Sequence, residues 1–310
     1  MKVGFIGLGT MGASIALNAI KGGNELVVND LGTNAAARHL AAGATWAETP
    51  KSIAEQCDII FSSLPGPAEV EAVALGENGL IRAARKGQIY MDLSTNSPTV
   101  MRKIHAEMAP HGVEVLDAPV SGGPDGAKSG KLAIWVGGSQ EAYERALPVL
   151  RSMSDQPYYV GEIGAGSITK LVHNLSGYVV QTAMAECFTM GVKAGVPAEA
   201  LWKAVRQGAL GRRRTFDTMS RQYLAGRFDP PDFALKLARK DVGLALEVGR
   251  EFDVPMRLGQ LTLMEMTEAM NRGWENRDSR SAMLLQEERA GGVEVRVDEQ
   301  RMAEIMNDKA

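Results

Sequence analysis

The stretch "KVGFIGLGTMGASIAL", residues 2–17, decides the fold, because it joins a strand pattern to a helix pattern through a glycine-rich turn. Its glycines have the spacing GxGxxG, in which the first allows a tight turn and the second lets the backbone approach a pyrophosphate. The third packs the helix on the strand, and the helix N-terminus faces the phosphates. The stretch predicts a dinucleotide site formed by Gly7, Leu8, Gly9, Thr10, Met11 and Gly12. The alternative is a purely structural turn.

The next strand-like run, "ELVVND", ends at Asp30, eighteen residues after Gly12. A carboxylate at the end of this strand is typical of a group that binds the ribose 2′-hydroxyl of the cofactor. The residues that follow are Leu31, Gly32 and Thr33, so no arginine stands ready for a 2′-phosphate. The pattern therefore favours NAD over NADP, unless Asp30 is only a surface residue beside a structural turn.

Strand-like and helix-like segments alternate over residues 2–160, with apolar runs such as "DIIFSSL", "QIYMDLS" and "LAIWVGG". Such alternation predicts a parallel, doubly wound α/β sheet. Strand patterns stop after residue 164, and helical patterns follow at about 165–194, 198–207, 213–224, 232–253, 256–272 and 279–289. We expect a Rossmann-type domain over 1–163, an all-α domain over 164–290 and a C-terminal tail over 291–310.

Composition excludes several classes of function. The formal net charge of −3 gives no electrostatic reason to bind nucleic acid or an anionic membrane. The most apolar long segment, 171–194, is interrupted by Glu186 and Lys193, so it does not predict a membrane span. The histidines are scattered and Cys57 and Cys187 lie far apart, so we expect free thiols and no metal site. Without a signal-peptide pattern at its start, the sequence predicts a cytoplasmic protein.

The tail, "GGVEVRVDEQRMAEIMNDKA", has an apolar face that needs a partner surface, such as that of a second subunit. The all-α domain also has much apolar helix surface for its length. Together these features predict a homodimer or a homotetramer.

Another stretch, "GAGSITKLVHNLSGYVV" at residues 164–180, places Lys170 and Asn174 four residues apart and therefore on one helix face. The rest of this helix is mostly apolar. Burial there would disfavour the ammonium form of the lysine, which suits a group that exchanges a proton near neutral pH. The alternative is a surface lysine whose stem covers apolar groups while its charge stays in water.

Three further stretches complete a resemblance to a known family: "DLSTNSP" at 92–98, "DAPVSGGPDGAKSGKL" at 117–132 and "ALKLARKDVGLALE" at 234–247. Together with residues 2–23 and 164–180, they resemble the β-hydroxyacid dehydrogenase family, from residue 2 to about residue 289. The resemblance implies NAD-dependent, reversible oxidation of a small β-hydroxyacid such as 3-hydroxyisobutyrate.

The resemblance also implies roles for individual residues. Lys170 corresponds to the general acid/base, and Asn174 to the residue that orients the substrate. The substrate carboxylate would be bound by Ser121, Gly122 and Gly123. The nicotinamide end of the cofactor would lie beside Thr95 and Lys240, and the cofactor crevice would be lined by Leu64 and Pro65.

Other interpretations stay open. The 121–123 segment could be a flexible turn, and Lys240 an exposed helix lysine. The arginines Arg212–Arg214 could clamp an acidic substrate group or start a solvated helix. They stand in a segment that is rich in serine and glycine in many relatives, so the acid accepted could be unusual.

Two rival functions also remain. An imine reductase shares this architecture, but such enzymes usually lack the lysine at position 170 and prefer NADPH. A non-catalytic dinucleotide-binding protein would keep the glycine turn without needing Lys170, Asn174 and the 117–132 segment together.

Overall fold

The computed structural model describes residues 2–193, 195–208, 219–251 and 256–307. Two compact units make up the chain, one spanning Met1–Val172 and the other His173–Ala310. The division falls inside one long helix, Ala165–Lys193, so the first turns of that helix belong to the first unit.

A nine-stranded sheet forms the centre of the first unit. Its order is β3-β2-β1-β4-β5-β6-β8-β7, with β9 also paired to β8. The strands from β3 to β6 are parallel along this order, whereas β8 runs antiparallel to β6 and β7. The strands are β1 Lys2–Ile6, β2 Glu25–Asn29, β3 Thr45–Trp46, β4 Ile59–Ser62, β5 Ile89–Asp92, β6 Glu114–Asp117, β7 Val120–Ser121, β8 Ala133–Gly137 and β9 Gln156–Gly161.

Both faces of this sheet are covered by apolar groups. Phe5 belongs to one buried cluster and its neighbour Ile6 to another, because successive side chains of a strand point to opposite faces. The predicted doubly wound α/β architecture is therefore confirmed. The helices of this unit are α1 Gly12–Lys21, α2 Ala37–Ala41, α3 Pro50–Gln56, α4 Pro67–Leu75, α5 Pro98–Met108, α6 Gly123–Ser129 and α7 Gln140–Met153.

The glycine-rich segment 117–132 is more regular than its composition suggests. It contains the short strand β7 and the helix α6, with Pro124 at the first turn of α6. A Cβ at Gly126 would lie 2.9 Å from the carbonyl oxygen of Lys131, so that glycine serves close packing. Within it, Ser121 belongs to β7 and Gly123 to α6, which disfavours the alternative that residues 121–123 are only a flexible turn.

The second unit is helical, as predicted. Its helices are α8 Ala165–Lys193, which begins in the first unit, and α9 Ala198–Gln207, α10 Leu235–Glu251, α11 Arg257–Asn271, α12 Leu284–Arg289 and α13 Glu299–Asn307. The helix predicted at 213–224 lies partly outside the described residues, and turns occupy its described end. Arg212–Arg214 lie outside them entirely.

The C-terminal tail packs on the second unit's own core. Val295 and Val297 are buried in a cluster with Trp202 and Tyr223, and the Val297 N–H donates to the carbonyl of Leu224 at 2.7 Å. The second unit's own core therefore supplies the predicted partner surface for Val295 and Val297, so these two residues do not require the suggested second subunit.

One salt bridge and one backbone hydrogen bond add to this packing. The Glu287 carboxylate accepts a hydrogen bond from Arg296 Nη1 at 2.6 Å and another from the Val295 N–H at 3.3 Å.

The described helices include none that is both long enough and apolar enough to cross a bilayer.

Candidate active site and cofactor site

The glycine turn after β1 has the geometry of a phosphate-binding turn. Gly7 has a φ of +90°, in the left-handed region that favours glycine. A Cβ on Gly12 would lie 2.0 Å from the Gly7 carbonyl oxygen, whereas one on Gly9 would meet nothing within 4 Å. The third glycine is thus required by packing, and the second faces open space at the start of α1. This arrangement fits the pyrophosphate of a dinucleotide.

Asp30 lies against this turn, directly after β2. Its Oδ2 accepts a hydrogen bond from the Leu8 N–H at 2.6 Å, and its Oδ1 accepts one from the Leu31 N–H at 2.7 Å. Leu31 is fully exposed. Within the described part of the chain Asp30 forms no salt bridge. The carboxylate is therefore held beside the predicted cofactor turn without a cation to pair with.

A buried carboxylate organises the ends of the neighbouring strands β4 and β5. Asp92 accepts hydrogen bonds from Ser62 Oγ at 2.8 Å, from Ser94 Oγ at 2.6 Å and from Asn96 Nδ2 at 2.9 Å. Burial raises the pKa of Asp92, and these donors offset part of the rise. Asp92 was not singled out from the sequence, although its position at a strand end before "STNS" was a usable signal.

This network fixes the segments that carry the predicted cofactor residues. The Leu64 N–H donates to Ser94 Oγ at 2.8 Å, so the segment holding Leu64 and Pro65 is tied to the one holding Thr95. Both segments follow the carboxyl ends of adjacent parallel strands, where open α/β sheets bind ligands.

The predicted carboxylate-binding residues lie between β7 and α6. Ser121 ends β7, and Gly123 begins α6 with a φ of +62°. Gly122 has a φ of +141°, and a Cβ there would lie 2.9 Å from Leu132 Cδ2. Both glycines are exposed, so a substrate carboxylate can reach their backbone.

Lys170 and Asn174 lie one turn apart on α8, and both are partly buried. A separation of four residues corresponds to about 6 Å along the axis and to the same helix face. The structure thus brings the two predicted catalytic side chains to one face.

A second buried carboxylate holds Asn174. Asn174 Nδ2 donates to Asp241 Oδ2 at 2.6 Å, and Asn174 Oδ1 lies 3.1 Å from His173 Nδ1. Asp241 is also paired through Oδ1 with Lys240 Nζ at 2.9 Å, and its side chain is fully buried. One carboxylate therefore links Lys240 and Asn174, which disfavours the alternative of a solvated Lys240. The only signal of this contact along the chain is the adjacency of Lys240 and Asp241.

No cluster of three or more histidine, cysteine or acidic side chains that could hold a metal occurs among the described residues. Burial raises the pKa of the Cys57 thiol to about 12, so it stays protonated and is a poor nucleophile at neutral pH.

Family comparisons cover both units of the chain. Residues 2–161 match the NAD binding domain of 6-phosphogluconate dehydrogenase, and residues 164–285 match the NAD-binding domain of NADP-dependent 3-hydroxyisobutyrate dehydrogenase. The predicted family signatures thus lie inside matched regions.

Individual relatives match over most of their length. The 2-(hydroxymethyl)glutarate dehydrogenase of Eubacterium barkeri is 35% identical over 95% of this chain and 97% of its own. The 3-hydroxyisobutyrate dehydrogenase of Pseudomonas aeruginosa is 33% identical over 84% of this chain and 89% of its own.

Among solved structures, the 3-hydroxyisobutyrate dehydrogenase of Mycobacterium tuberculosis with L-serine superposes with a TM-score of 0.82 at 28% identity. The match covers 92% of this chain and 98% of that one. Sequence, fold and relatives therefore agree, and the chain belongs to the β-hydroxyacid dehydrogenase family of nicotinamide-dependent oxidoreductases.

Proposed function

We propose that the protein catalyses the reversible, NAD-dependent oxidation of a small β-hydroxyacid resembling 3-hydroxyisobutyrate. The observation that carries the proposal is the pair on α8. Lys170 and Asn174 share one helix face, and the Asn174 amide is held by the buried Asp241 at 2.6 Å. A proton-exchanging group and a fixed neutral hydrogen-bond donor are what interconversion of an alcohol and a carbonyl requires.

In this mechanism, Lys170 accepts the hydroxyl proton during oxidation and returns it to the developing alkoxide during reduction. Because Asp241 takes one Asn174 N–H, the amide is oriented and its other N–H can donate to the substrate oxygen. The N–H groups and hydroxyl of residues 121–123 bind the substrate carboxylate. A bound nicotinamide would supply the hydride acceptor or donor. Residues 7–12 would hold the pyrophosphate of that cofactor, and Asp30 would hold its adenosine ribose.

NAD should be used with a higher kcat/KM than NADP. Asp30 would repel a 2′-phosphate, and an ion pair or charged hydrogen bond at this point is worth on the order of 1–3 kcal/mol. Changing Asp30→Asn together with Leu31→Arg should shift the preference toward NADP by roughly 10- to 100-fold, since Leu31 is exposed and has room for an arginine. The measurement is kcat/KM for both cofactors.

Leu31→Ala with Asp30 retained is the control and should keep the NAD preference. A wild-type enzyme that uses both cofactors equally well, or that prefers NADP, contradicts the role of Asp30.

The imine reductase and the non-catalytic binding protein are the alternatives. Lys170 favours the hydroxyacid enzyme because imine reductases usually lack a lysine at that position, and Asp30 disfavours the NADPH that they generally prefer. Following NADH absorbance over a panel of hydroxyacids, semialdehydes and cyclic imines separates the three. Turnover of imines alone, or of nothing despite NADH binding, would reject the proposal.

We further propose that the protein is a homodimer or a homotetramer. Leu258, Leu261 and Met264 are 61%, 51% and 64% exposed and follow one another at three-residue spacing on α11. Such an apolar stripe is typical of a surface that a second copy covers. The cytoplasmic location stays a prediction from the sequence.

Light scattering at micromolar concentration should therefore give a mass of at least two chains. Leu261→Glu should lower that mass, because a charge would be buried unpaired in the interface. Gln56→Glu, at an exposed position on α3 of the first unit, is the control for an added surface charge and should not. A wild-type monomer contradicts the proposal.

A further inference from the structure

The start of α8 is anchored by a carboxylate from a distant strand. Asp117, the last residue of β6, accepts hydrogen bonds from the Gly164 N–H at 2.7 Å and from the Ser167 N–H at 2.5 Å. Its side chain is only 1% exposed. The first N–H groups of a helix have no partners within it, and a carboxylate is the group that satisfies them best.

Close packing fixes the same turn from the other side. A Cβ on Gly166 would lie 2.4 Å from the carbonyl oxygens of both Asp117 and Trp135. A Cβ on Gly137 would lie 2.6 Å from Asp117 Oδ1 and 2.8 Å from the Gly166 nitrogen. Neither Gly137 nor Gly166 has room for a methyl group, so the first turn of α8 packs directly on the ends of β6 and β8.

Asp117 is therefore close in sequence to the proposed carboxylate-binding residues 121–123, and it caps the helical turn that precedes Lys170. Ser121 follows it by four residues along the chain. Lys170 follows the capped residue Ser167 by three, and helical side chains lean toward the preceding turn. All of these residues belong to the first compact unit.

From this geometry we infer that Asp117 is a positioning residue, which sets the separation between Lys170 and the carboxylate-binding residues 121–123. The inference rests on the proposed function. Asparagine cannot replace Asp117 here, because an amide has one acceptor oxygen and would turn its NH₂ toward the second N–H donor. The buried carboxylate is thus the only side chain of this size that holds both N–H groups.

Asp117→Asn should lower kcat by roughly 10- to 100-fold, because a displacement of the catalytic group by a fraction of an ångström to 1 Å has costs of this order. The NADH dissociation constant, measured by fluorescence, should stay within about twofold, since the cofactor turn lies on other elements. Gly166→Ala should give the same pattern while keeping the carboxylate. Its added methyl group would displace the first turn of α8 through a steric clash with the Asp117 and Trp135 carbonyl oxygens.

Thr49→Ala is the matched control. Thr49 caps α3 by accepting a hydrogen bond from the Ser52 N–H at 3.1 Å, so its loss weakens a helix cap in the same unit without touching α8. It should lower the melting temperature and leave kcat unchanged.

Wild-type kcat in a folded Asp117→Asn or Gly166→Ala variant overturns the inference. The inference is also overturned if kcat and NADH binding both fall in proportion to the folded fraction, because Asp117 would then be a structural residue only. If Asp117→Asn does not fold, Gly166→Ala decides. Failure of the proposed function is distinguishable, because the wild-type enzyme would then turn over no hydroxyacid at all.

Discussion

Lys170→Met should lower turnover by roughly 10²–10⁴-fold, the usual contribution of a positioned acid or base. Methionine keeps the length and apolar stem of the side chain, so it fits a partly buried position on α8 without loss of the fold. NADH should still bind, because its proposed contacts lie at residues 7–12 and Asp30. Steady-state turnover, NADH fluorescence and circular dichroism together measure this result.

Two substitutions refine the interpretation of Lys170. Asn174→Ala should cost less turnover than Lys170→Met, because it removes orientation but leaves the proton route. Lys170→Arg should rescue poorly, since a guanidinium does not release its proton near neutral pH. Lys103→Met is the matched control on α5, where the lysine is exposed and paired with Glu71. If turnover of Lys170→Met stays within a few-fold of wild type, Lys170 is only a surface lysine.

The methyl ester of an active acid should be turned over with a kcat/KM roughly 10²-fold lower than the acid itself. The ester removes the negative charge, and each backbone donor left unpaired in residues 121–123 costs about 1–3 kcal/mol. Ser121→Ala should raise the KM for the acid and change the KM for the ester much less, because the ester already lacks the charged contact. Comparable turnover of acid and ester would reject the role of this segment.

The local motifs were the predictable part of this molecule. The spacing of Gly7, Gly9 and Gly12 predicts the turn because its requirements are local: Gly7 has a positive φ, and Gly12 packs against the Gly7 carbonyl five residues away. The apolar pattern predicted a helix at about 165–194, and α8 spans Ala165–Lys193. A regular spacing of apolar residues along the chain is enough to predict such elements.

Contacts between distant residues could not be predicted in the same way. Asp117 caps a helix fifty residues away, and Asp241 holds Asn174 across sixty-seven. A sequence pattern reports which face of an element is apolar but not which side chain of another element meets it. The tail shows the same limit: the sequence predicted that its apolar face packs on a partner surface, but not that the surface lies around Trp202 and Tyr223 of the same chain.

That tail has a consequence for how the protein is made. Synthesis proceeds from the N-terminus at about 5–20 residues per second, and units tend to fold as they emerge. All nine strands precede residue 172, so the first unit can close its core while the ribosome is still translating the second. The second unit cannot, because Val295, Val297 and Met302 fill its core and are added long after residue 172. The core of the helical unit therefore stays incomplete until Met302 has emerged, with its apolar groups exposed to chaperones during that interval.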